Sequence, residues 1–345
     1  MVKMKIALVG ITGYGGMVLY QMLQGHSHVE QIDLYGHDQD ETLSLSEVVP
    51  LLGDSEHQVF PYNSETIMKQ DDAIFFATSA GVTAKLAGPF IKHHFPVIDL
   101  SGDYRLKQSD LYEKWYHKPA ARQEDLTGAH YGLTDFNSAK EQTYVANPGC
   151  YATATLLGLA PLIQEHLVDV DSIIVDAKSG TSGAGKKLSE MTHFTQVNDN
   201  LQLYNVNHHK HIPEIVQQLK QWDRNVKAIQ FSTTLLPITR GILSTIYVKA
   251  LPGINAQQVD DAFHKIYDDD TFVRYTGEKL PTIKQVVGTN YCDLGVLYND
   301  TTHTIMVASV IDNLVKGAGG QAIQNFNQMF DFNDQDGLPT AVILP

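Results

Sequence analysis

Two hydrophobic patterns alternate along the first half of the chain. Residues 14–25 place apolar side chains on one helical face and stop at Gly25, and residues 80–94 repeat the helical pattern with Pro89 as a possible break. Short apolar runs flanked by turn residues are typical of strands in a buried parallel sheet. Such runs cover residues 5–10, 31–36, 72–78 and 96–102. Strands that alternate with helices predict βαβ units and a parallel sheet.

The pattern changes after Cys150. Long β-rich segments follow at residues 172–178, 228–238, 241–251, 291–299 and 304–312. Helical patterns precede, separate and follow these segments at residues 151–163, 256–269 and 318–330 respectively. The second half is therefore predicted to be α+β, and the abrupt change near residue 148 predicts a domain boundary.

Composition narrows the class of protein. A chain of 345 residues with 43% hydrophobic and 19% charged residues is expected to form two globular domains. The net charge of −14 argues against a nucleic-acid partner, and no apolar stretch is long enough to cross a membrane. Gly10 interrupts the N-terminal apolar run, so we expect a first strand there and no signal peptide. Two distant cysteines, Cys150 and Cys292, suit a reducing cytoplasm.

The glycine-rich segment GITGYGG follows the first predicted strand and opens the first predicted helix. Gly10, Gly13 and Gly16 there would permit a tight turn and a close approach of backbone N–H groups to a pyrophosphate. This position predicts dinucleotide binding, although a plain strand-to-helix turn has the same pattern. Asp38 near the end of the second strand could bond a ribose hydroxyl, and no arginine accompanies it, so NAD and NADP both stay open.

Cys150 follows a Pro-Gly turn and heads a helical segment. A thiol at a helix N-terminus lies at the positive end of the helix dipole, which favours the nucleophilic thiolate. The alternative is a small buried residue that caps a core helix, since free cysteines are commonly buried. The residues alone leave both interpretations open. Cys292 lies inside a predicted strand, where we expect a core role.

Three histidines cluster at residues 208, 209 and 211, just before a helical pattern that has Pro213 in its first turn. We predict His211 just outside that helix N-terminus, a position that keeps the imidazole neutral and able to accept a proton. Two alternatives are ordinary surface histidines and a metal site. No nearby cysteine or carboxylate completes a familiar zinc spacing.

The segment SGTSGAGKK (179–187) almost matches a phosphate-binding loop. Lys187 stands where that motif needs the hydroxyl that binds Mg²⁺, which argues against a nucleoside triphosphatase. Backbone N–H groups in such a loop can still face an anion.

Eight sequence blocks carry a resemblance that spans nearly the whole chain. They are GITGYGG (10–16), SGDYRL (101–106), YGLTDFN (131–137), NPGCYATA (147–154), DAKSGTSGAGKK (176–187), HKHIPEI (209–215), PITRGIL (237–243) and DNLVKGAGGQAIQNFN (312–327). In this order they resemble the N-acetyl-γ-glutamyl-phosphate reductases, the NADP-dependent enzymes of arginine biosynthesis. Several ordered blocks are far more specific than any single motif.

The resemblance implies an α/β fold in which a Rossmann-type doubly wound parallel sheet domain carries an inserted α+β substrate domain of the semialdehyde dehydrogenase type. It places the dinucleotide-binding domain at residues 1–147 with the C-terminal helix at 313–345. The α+β domain for catalysis, substrate binding and oligomerisation is then residues 148–312.

The resemblance also implies roles for single residues. Cys150 corresponds to the family's nucleophile and His211 to its acid/base. Cofactor contacts are expected from Gly10, Thr12, Gly13, Tyr14, Gly15, Gly16, Ser179, Gly180, Gly183 and Asn313. Substrate contacts are expected from Arg105, His209, Glu214 and Arg240, the two arginines lying in blocks near the substrate phosphate and carboxylate. No metal ligand is expected.

The implied activity is the third step of arginine biosynthesis. NADP(H) would serve the reduction of N-acetyl-L-glutamyl 5-phosphate to the 5-semialdehyde and phosphate through a Cys150 thioester, in a cytoplasmic homodimer or homotetramer. Lys210 replaces the family's middle arginine of His-Arg-His and cannot bind an anion in the same bidentate way. Alternatives are a sister reductase that acts on aspartyl or aminoadipyl phosphate, and a dinucleotide-binding sensor without catalysis.

Overall fold

The computed structural model describes residues 3–53 and 56–342. Residues 1, 2, 54, 55 and 343–345, which the predicted first domain includes, lie outside the described residues. The chain divides into two compact units. Unit 1 comprises Met1–Pro148 and Ala318–Leu338, and unit 2 comprises Gly149–Gly317 and Pro339–Pro345.

The described part of unit 1 contains an eight-stranded sheet. Its strands are β1 (Met4–Val9), β2 (Val29–Gly36), β3 (Leu43–Ser44), β4 (Gln58–Pro61), β5 (Ala73–Phe76), β6 (Val97–Asp99), β7 (His130–Tyr131) and β8 (Tyr144–Ala146). They lie in the order β3-β4-β2-β1-β5-β6-β8-β7, and only the β3–β4 pair is antiparallel. The predicted parallel sheet is confirmed. The apolar runs of β1 and β5 are buried, as expected for central strands.

Seven helices of unit 1 precede residue 148 among the described residues. They are α1 (Tyr14–Gln24), α2 (Leu45–Val48), α3 (Ser64–Gln70), α4 (Thr83–Leu86), α5 (Gly88–Lys92), α6 (Ser109–Tyr116) and α7 (Gln123–Gly128). The helix predicted over residues 80–94 with a possible break at Pro89 is present as two helices, α4 and α5. Pro89 lies in the first turn of α5, where its missing N–H costs nothing, whereas it would disrupt a continuous helix.

Unit 2 contains a mixed seven-stranded sheet in its described residues. The strands are β9 (Ile174–Ser179), β10 (Gln202–Tyr204), β11 (Gln230–Leu235), β12 (Ile242–Lys249), β13 (Val273–Tyr275), β14 (Cys292–Asn299) and β15 (Thr304–Ile311). Their order is β10-β11-β9-β12-β15-β14-β13. The β9–β11 and β13–β14 pairs are parallel and the other neighbours are antiparallel, which confirms the α+β prediction.

The described residues of unit 2 form four α-helices, of which the first is buried. They are α8 (Cys150–Gln164), α9 (Phe194–Val197), α10 (His211–Trp222) and α11 (Ala256–Tyr267). Every residue of α8 from Tyr151 to Ile163 is buried, which matches its nearly continuous apolar sequence. Helix α8 contacts α10 and α11, and it packs on β12, β14 and β15. This packing fixes the position of Cys150, the first residue of α8.

The last helix returns to unit 1. Helix α12 (Gly320–Met329) follows a π-helical turn, Val315–Gly319, and contacts α1 and β6. His26, which follows α1, is buried, and its Nε2 lies 2.7 Å from Oδ1 of Asn327 on α12. Phe326 packs against Phe75 of β5. The chain thus completes unit 1 with residues that follow the main segment of unit 2 in sequence.

Candidate active site and cofactor site

The loop between β1 and α1 requires glycine at two positions. Gly10 has φ +104°, and a Cβ there would lie 2.4 Å from the carbonyl oxygen of Ala77. A Cβ on Gly16 would lie 2.1 Å from the carbonyl oxygen of Gly10. These glycines let the chain turn tightly into α1, whose N-terminus follows at Tyr14.

The same loop leaves room for a ligand. Gly13 is the N-cap of α1, Thr12 and Tyr14 are exposed, and a Cβ on Gly15 would meet no atom within 4 Å. The first N–H groups of a helix have no intrahelical acceptor and suit a phosphate. The loop lies at the carboxyl end of β1, between the half of the sheet that contains β2 and the half that contains β5, where open α/β sheets bind dinucleotides. These residues therefore fit a dinucleotide pyrophosphate.

Cys150 is partly exposed and occupies the first position of α8. Gly149 is the N-cap, and its carbonyl accepts a hydrogen bond from Thr153 N at 2.8 Å. The alternative of a buried capping residue does not fit this exposure. Cys292 is fully buried, with its Sγ 3.5 Å from Oγ of Ser309, as the core prediction requires. Cys150 is therefore the thiol with both access and a helix N-terminus to favour the thiolate.

His211 packs against the turn that precedes Cys150. A Cβ on Gly149 would lie 2.3 Å from Nε2 of His211, so the imidazole occupies the space that a side chain there would need. The ring is buried, with 5% of the residue exposed. His211 is the first residue of α10 and not just outside it, because Lys210 takes the N-cap position. A helix N-terminus still disfavours the imidazolium form.

The side chain of Glu214 binds the backbone of the same turn. Its Oε1 accepts a hydrogen bond of 2.7 Å from Gly149 N, and the residue is fully buried in the first turn of α10. A buried carboxylate that accepts a backbone N–H forms a strong, charge-assisted hydrogen bond. The residue expected to contact substrate thus orients the backbone next to Cys150.

His209 supports the backbone of His211. Its Nδ1 accepts a hydrogen bond of 3.2 Å from His211 N, so the ring proton is on Nε2. Burial, and secondarily the charge of Lys210, lowers the pKa of His209 to about 3. His209 is therefore neutral at physiological pH. Within residues 3–53 and 56–342 no group of three or more His, Cys, Asp or Glu side chains could hold a metal ion.

Two tyrosines that the sequence analysis did not single out border these histidines. The hydroxyls of Tyr151 and Tyr204 are 2.8 Å apart, and the Tyr151 ring meets the His209 ring edge-on at 5.2 Å. Burial raises the pKa of both phenols, that of Tyr204 to about 12, so both stay protonated. Tyr151 directly follows Cys150 in the chain, which was the available signal. Tyr204 lies on the short strand β10, which carries no clear pattern.

The glycine-rich loop after β9 forms a 3₁₀ turn, Thr181–Ala184. Gly180 packs so closely that a Cβ would lie 2.7 Å from the carbonyl oxygen of Thr239. Asn313 ties this loop down, because its Nδ2 donates to Ser182 Oγ at 2.9 Å and its Oδ1 accepts from Gly241 N at 2.7 Å. The amide expected to meet the cofactor is thus engaged with the loop.

The remaining members of this loop differ in exposure. Ser179 is buried, and a Cβ on Gly183 would lie 3.0 Å from its Oγ. Lys186 and Lys187 are exposed. Both lysines therefore lie at the surface, and the observed positions add no support for the rejected phosphate-loop motif.

The two candidate substrate arginines lie in different units. In unit 2, Nη2 of Arg240 is 2.9 Å from Oδ2 of Asp312, a fully buried residue, and 23% of the Arg240 side chain is exposed. In unit 1, Arg105 is buried, and its Nε and Nη2 donate to the carbonyls of Asn147 and Leu100 at 2.7 and 2.9 Å. Arg105 thereby joins the segments that follow β6 and β8.

Unit 2 thus brings together Cys150, His211, His209, Glu214 and Tyr151 around one helix start. Unit 1 contains the glycine loop and Arg105. No helix within the described ranges is long and apolar enough to cross a membrane.

Known proteins resemble both units. Residues 5–148 match the family described as semialdehyde dehydrogenase, NAD binding domain, and residues 150–313 match the semialdehyde dehydrogenase dimerisation domain. The structure is similar to aspartate semialdehyde dehydrogenase II of Vibrio cholerae complexed with ASA, with TM-score 0.69, 18% identity and 96% and 99% of the two chains covered. It is also similar to aspartate semialdehyde dehydrogenase with NADP from Candida albicans, with TM-score 0.68, 13% identity and 95% and 98% covered.

The fold and the cysteine site define an oxidoreductase of the semialdehyde dehydrogenase class with an NAD(P)-binding domain. Sequence relatives narrow the class. The chain is 67% identical to N-acetyl-gamma-glutamyl-phosphate reductase of Limosilactobacillus fermentum over 99% of this chain and 100% of that protein. It is 50% identical to the Listeria innocua protein of the same name, with the same coverage. The chain belongs to the N-acetyl-gamma-glutamyl-phosphate reductase family.

Proposed function

We propose that this protein reduces N-acetyl-L-glutamyl 5-phosphate to N-acetyl-L-glutamate 5-semialdehyde and phosphate, with NADPH as reductant. The observation that carries the proposal is Cys150 at the start of α8 with the imidazole of His211 packed on the adjacent Gly149. A partly exposed thiol at a helix N-terminus next to an imidazole is the arrangement that nucleophilic acyl transfer needs.

Cys150 supplies the covalent step. Its thiolate attacks the acyl carbonyl, the C–S bond forms, the bond from that carbon to the phosphate oxygen breaks, and phosphate leaves. The product of this step is a thioester. A thioester is a good hydride acceptor, and the adduct that follows hydride addition releases the aldehyde when its C–S bond breaks.

His211 moves the protons. Its ring would accept the proton of the Cys150 thiol as the thiolate forms, and the resulting imidazolium would stabilise the oxyanion that follows hydride addition. His209 and Glu214 hold this pair in place through the backbone N–H groups of His211 and Gly149. The aldehyde leaves as Cys150 regains its thiolate form.

The cofactor would lie on unit 1. The N–H groups at the start of α1, with Gly10, Gly13 and Gly16 allowing close approach, would hold the pyrophosphate. When bound, the reduced nicotinamide supplies the hydride for the second half-reaction. Family membership supports NADP over NAD. Asp38 lies two residues after β2 with 82% of its side chain exposed, and its negative charge would lie near the 2′-phosphate of NADP.

We propose Arg240 as a substrate-anion contact. Asp312 holds its guanidinium, yet part of the side chain is exposed. The buried Arg105, whose donors meet backbone carbonyls, is proposed to shape the end of the sheet that receives the substrate. Unit 1 would bind the cofactor, and unit 2 would carry the chemistry and the contacts of a homo-oligomer. Because the Cys150 thiol must stay reduced, we place the protein in the cytoplasm.

The test is NADPH oxidation by the purified protein with three acyl phosphates. N-acetylglutamyl phosphate should be reduced with a kcat/KM at least about 100-fold above aspartyl phosphate and aminoadipyl phosphate, since a site built for one polar group rejects analogues that leave it unpaired. A preference for aspartyl or aminoadipyl phosphate would assign the protein to a sister reductase. Cofactor binding without oxidation of NADPH by any of the three would indicate a sensor.

A further inference from the structure

Asp103 is a fully buried residue of unit 1 whose carboxylate the proposed reaction does not use. Its Oδ1 accepts hydrogen bonds from Gly81 N at 2.7 Å and from the hydroxyl of Tyr112 at 2.6 Å. Its Oδ2 accepts from Ala84 N and from Gly81 N, each at 2.9 Å. All of these donors are uncharged. The carboxylate thus holds two backbone N–H groups of the segment that follows β5.

A second buried carboxylate interacts with the first. Asp99, the last residue of β6, is fully buried, and its Oδ1 accepts a hydrogen bond of 2.8 Å from Ser101 N. Burial, followed by the charge of Asp103, raises the pKa of Asp99 to about 7. Burial of two neighbouring carboxylates is costly, and titratable groups in such surroundings are concentrated at functional sites. This part of unit 1 is therefore a place to seek a function beyond packing.

The segment after β5 borders the glycine loop between β1 and α1. We call residues 77–84 the crevice loop. A Cβ on Gly10 would lie 2.4 Å from the carbonyl oxygen of Ala77, so the first residue of the crevice loop packs directly on the glycine loop. Oγ1 of Thr78 lies 2.8 Å from Oγ1 of Thr83, and this hydrogen bond joins the two ends of the crevice loop. A change in the shape of the crevice loop would therefore be felt beside the glycine loop.

The two loops flank the point where the strand order of the sheet changes direction. Strand β1 lies between β2 and β5 and is parallel to both, so the glycine loop and the crevice loop lie at carboxyl ends of adjacent strands. Open α/β sheets bind dinucleotides in the crevice at this point. A ribose contact at the end of β2 would place the adenosine half on the β2 side. The nicotinamide half would then lie on the β5 side, next to the crevice loop.

We infer that Asp103 is a positioning residue for dinucleotide binding, because its carboxylate holds the crevice loop beside the nicotinamide half. Gly81 has φ +86°, the left-handed region that glycine adopts at little cost, and Ser79 of the same loop is exposed. Without the carboxylate, the N–H groups of Gly81 and Ala84 lose their acceptor, and the loop relaxes to other conformations. This role rests on the proposed binding of NADPH to unit 1 and is independent of which acyl phosphate is reduced.

The test compares the dissociation constants of NADPH and of 2′,5′-adenosine diphosphate, which represents the adenosine half alone, by isothermal titration calorimetry. Asp103→Ala should raise the constant for NADPH at least about tenfold and change that for 2′,5′-adenosine diphosphate less than about twofold. Asp103→Asn keeps an oxygen that can accept from both N–H groups, so its constant for NADPH should stay within about threefold of the wild type. A role in the stability of unit 1 alone would not separate the two ligands.

Asp71→Ala is the matched control. Asp71 is also buried and accepts a hydrogen bond of 3.2 Å from a phenol, that of Tyr35, but it precedes β5 and lies at the amino end of that strand. This variant should bind NADPH as the wild type does. Gly81→Ala carries the test if Asp103→Ala does not fold, since a side chain at φ +86° strains the same loop. It should raise the constant for NADPH at least about threefold and leave that for 2′,5′-adenosine diphosphate unchanged.

A folded Asp103→Ala protein that binds NADPH as tightly as the wild type would overturn the role of Asp103. Equal losses of affinity for the two ligands would do the same. A wild type that binds no NADPH would overturn this role together with the proposed cofactor. The expected binding constants in a protein that reduces no acyl phosphate would support the role of Asp103 and contradict only the reductase activity.

Discussion

At the residue scale, the hydrogen bond between Glu214 and Gly149 connects α10 to the turn that presents Cys150. Glutamate at this position combines an acceptor for a backbone N–H with full burial. Loss of the acceptor would leave that N–H unsatisfied, a change that costs about 1–3 kcal/mol. The consequence for the reaction is a displaced Cys150 and His211, since both are neighbours of Gly149.

Glu214→Ala should therefore lower kcat by about 10- to 100-fold, because a small displacement of a nucleophile has effects of this size. Glu214→Gln keeps an acceptor oxygen and should recover most of the loss, while KM changes little in either variant. Steady-state kinetics on the acyl phosphate checks this. An Ala variant whose defect lies in KM alone would show instead that Glu214 binds substrate, as the family resemblance implied.

At the scale of elements, a hydrogen bond between His26 and Asn327 connects α12 to the rest of unit 1. His26 Nδ1 accepts from His28 N at 3.1 Å, so the proton is on Nε2 and is donated to Asn327 of α12. Burial lowers the pKa of His26, opposed by the hydrogen bond to Asn327 and the charge of Asp336. A second proton would have to go on Nδ1, where it would meet the His28 N–H.

The folded state thus binds this proton less readily than the unfolded state, whose histidine pKa is about 6.5. The contribution of the neutral His26 ring to the free energy of unfolding is complete above pH about 6.5 and is lost as the pH falls below that value. We expect the free energy of unfolding to fall between pH 7 and pH 5, and to fall less in His26→Gln. Denaturant titrations at the two pH values measure both. Equal pH dependence in the two proteins would contradict this role of His26.

The longer elements could be predicted from the sequence because their apolar pattern is local. Helix α8 and strands β1, β12 and β15 follow from such runs, and so do the glycine loop and the position of Cys150 at a helix start. Short elements such as β10 and α7 could not be predicted. Their few residues carry little hydrophobic pattern, and contacts with the rest of the folded chain stabilise them.

The partners of the site side chains were also beyond sequence reasoning. Glu214 and Gly149 are 65 residues apart, and Asn313 and Ser182 are 131 apart. Nothing in a local pattern indicates which distant backbone group a buried carboxylate or amide will meet. The family resemblance identified these residues as functional. The geometry shows that Glu214 holds the backbone N–H that precedes Cys150 and that Asn313 holds the glycine-rich loop after β9.

At the scale of the whole molecule, two functions are separated along the chain. Unit 1 has the parallel sheet and glycine loop that suit a dinucleotide, and unit 2 has the starts of α8 and α10, which carry Cys150 and His211 respectively. This separation implies two half-reactions with different requirements. In the proposed reaction, acyl transfer to Cys150 would use residues of unit 2 and need no reductant, whereas release of the aldehyde would need one.

The most direct test of the account is therefore the acyl-transfer half-reaction alone. We expect N-acetylglutamyl phosphate, mixed with the protein in the absence of NADPH, to release one phosphate per active site in a rapid burst. Mass spectrometry of the quenched protein should then show an N-acetylglutamyl group on Cys150, and Cys292→Ala should behave as the wild type. The account would be contradicted if the wild-type protein reduced the acyl phosphate with NADPH but gave neither the burst nor the adduct, and if the Cys150→Ser variant kept the reductase activity.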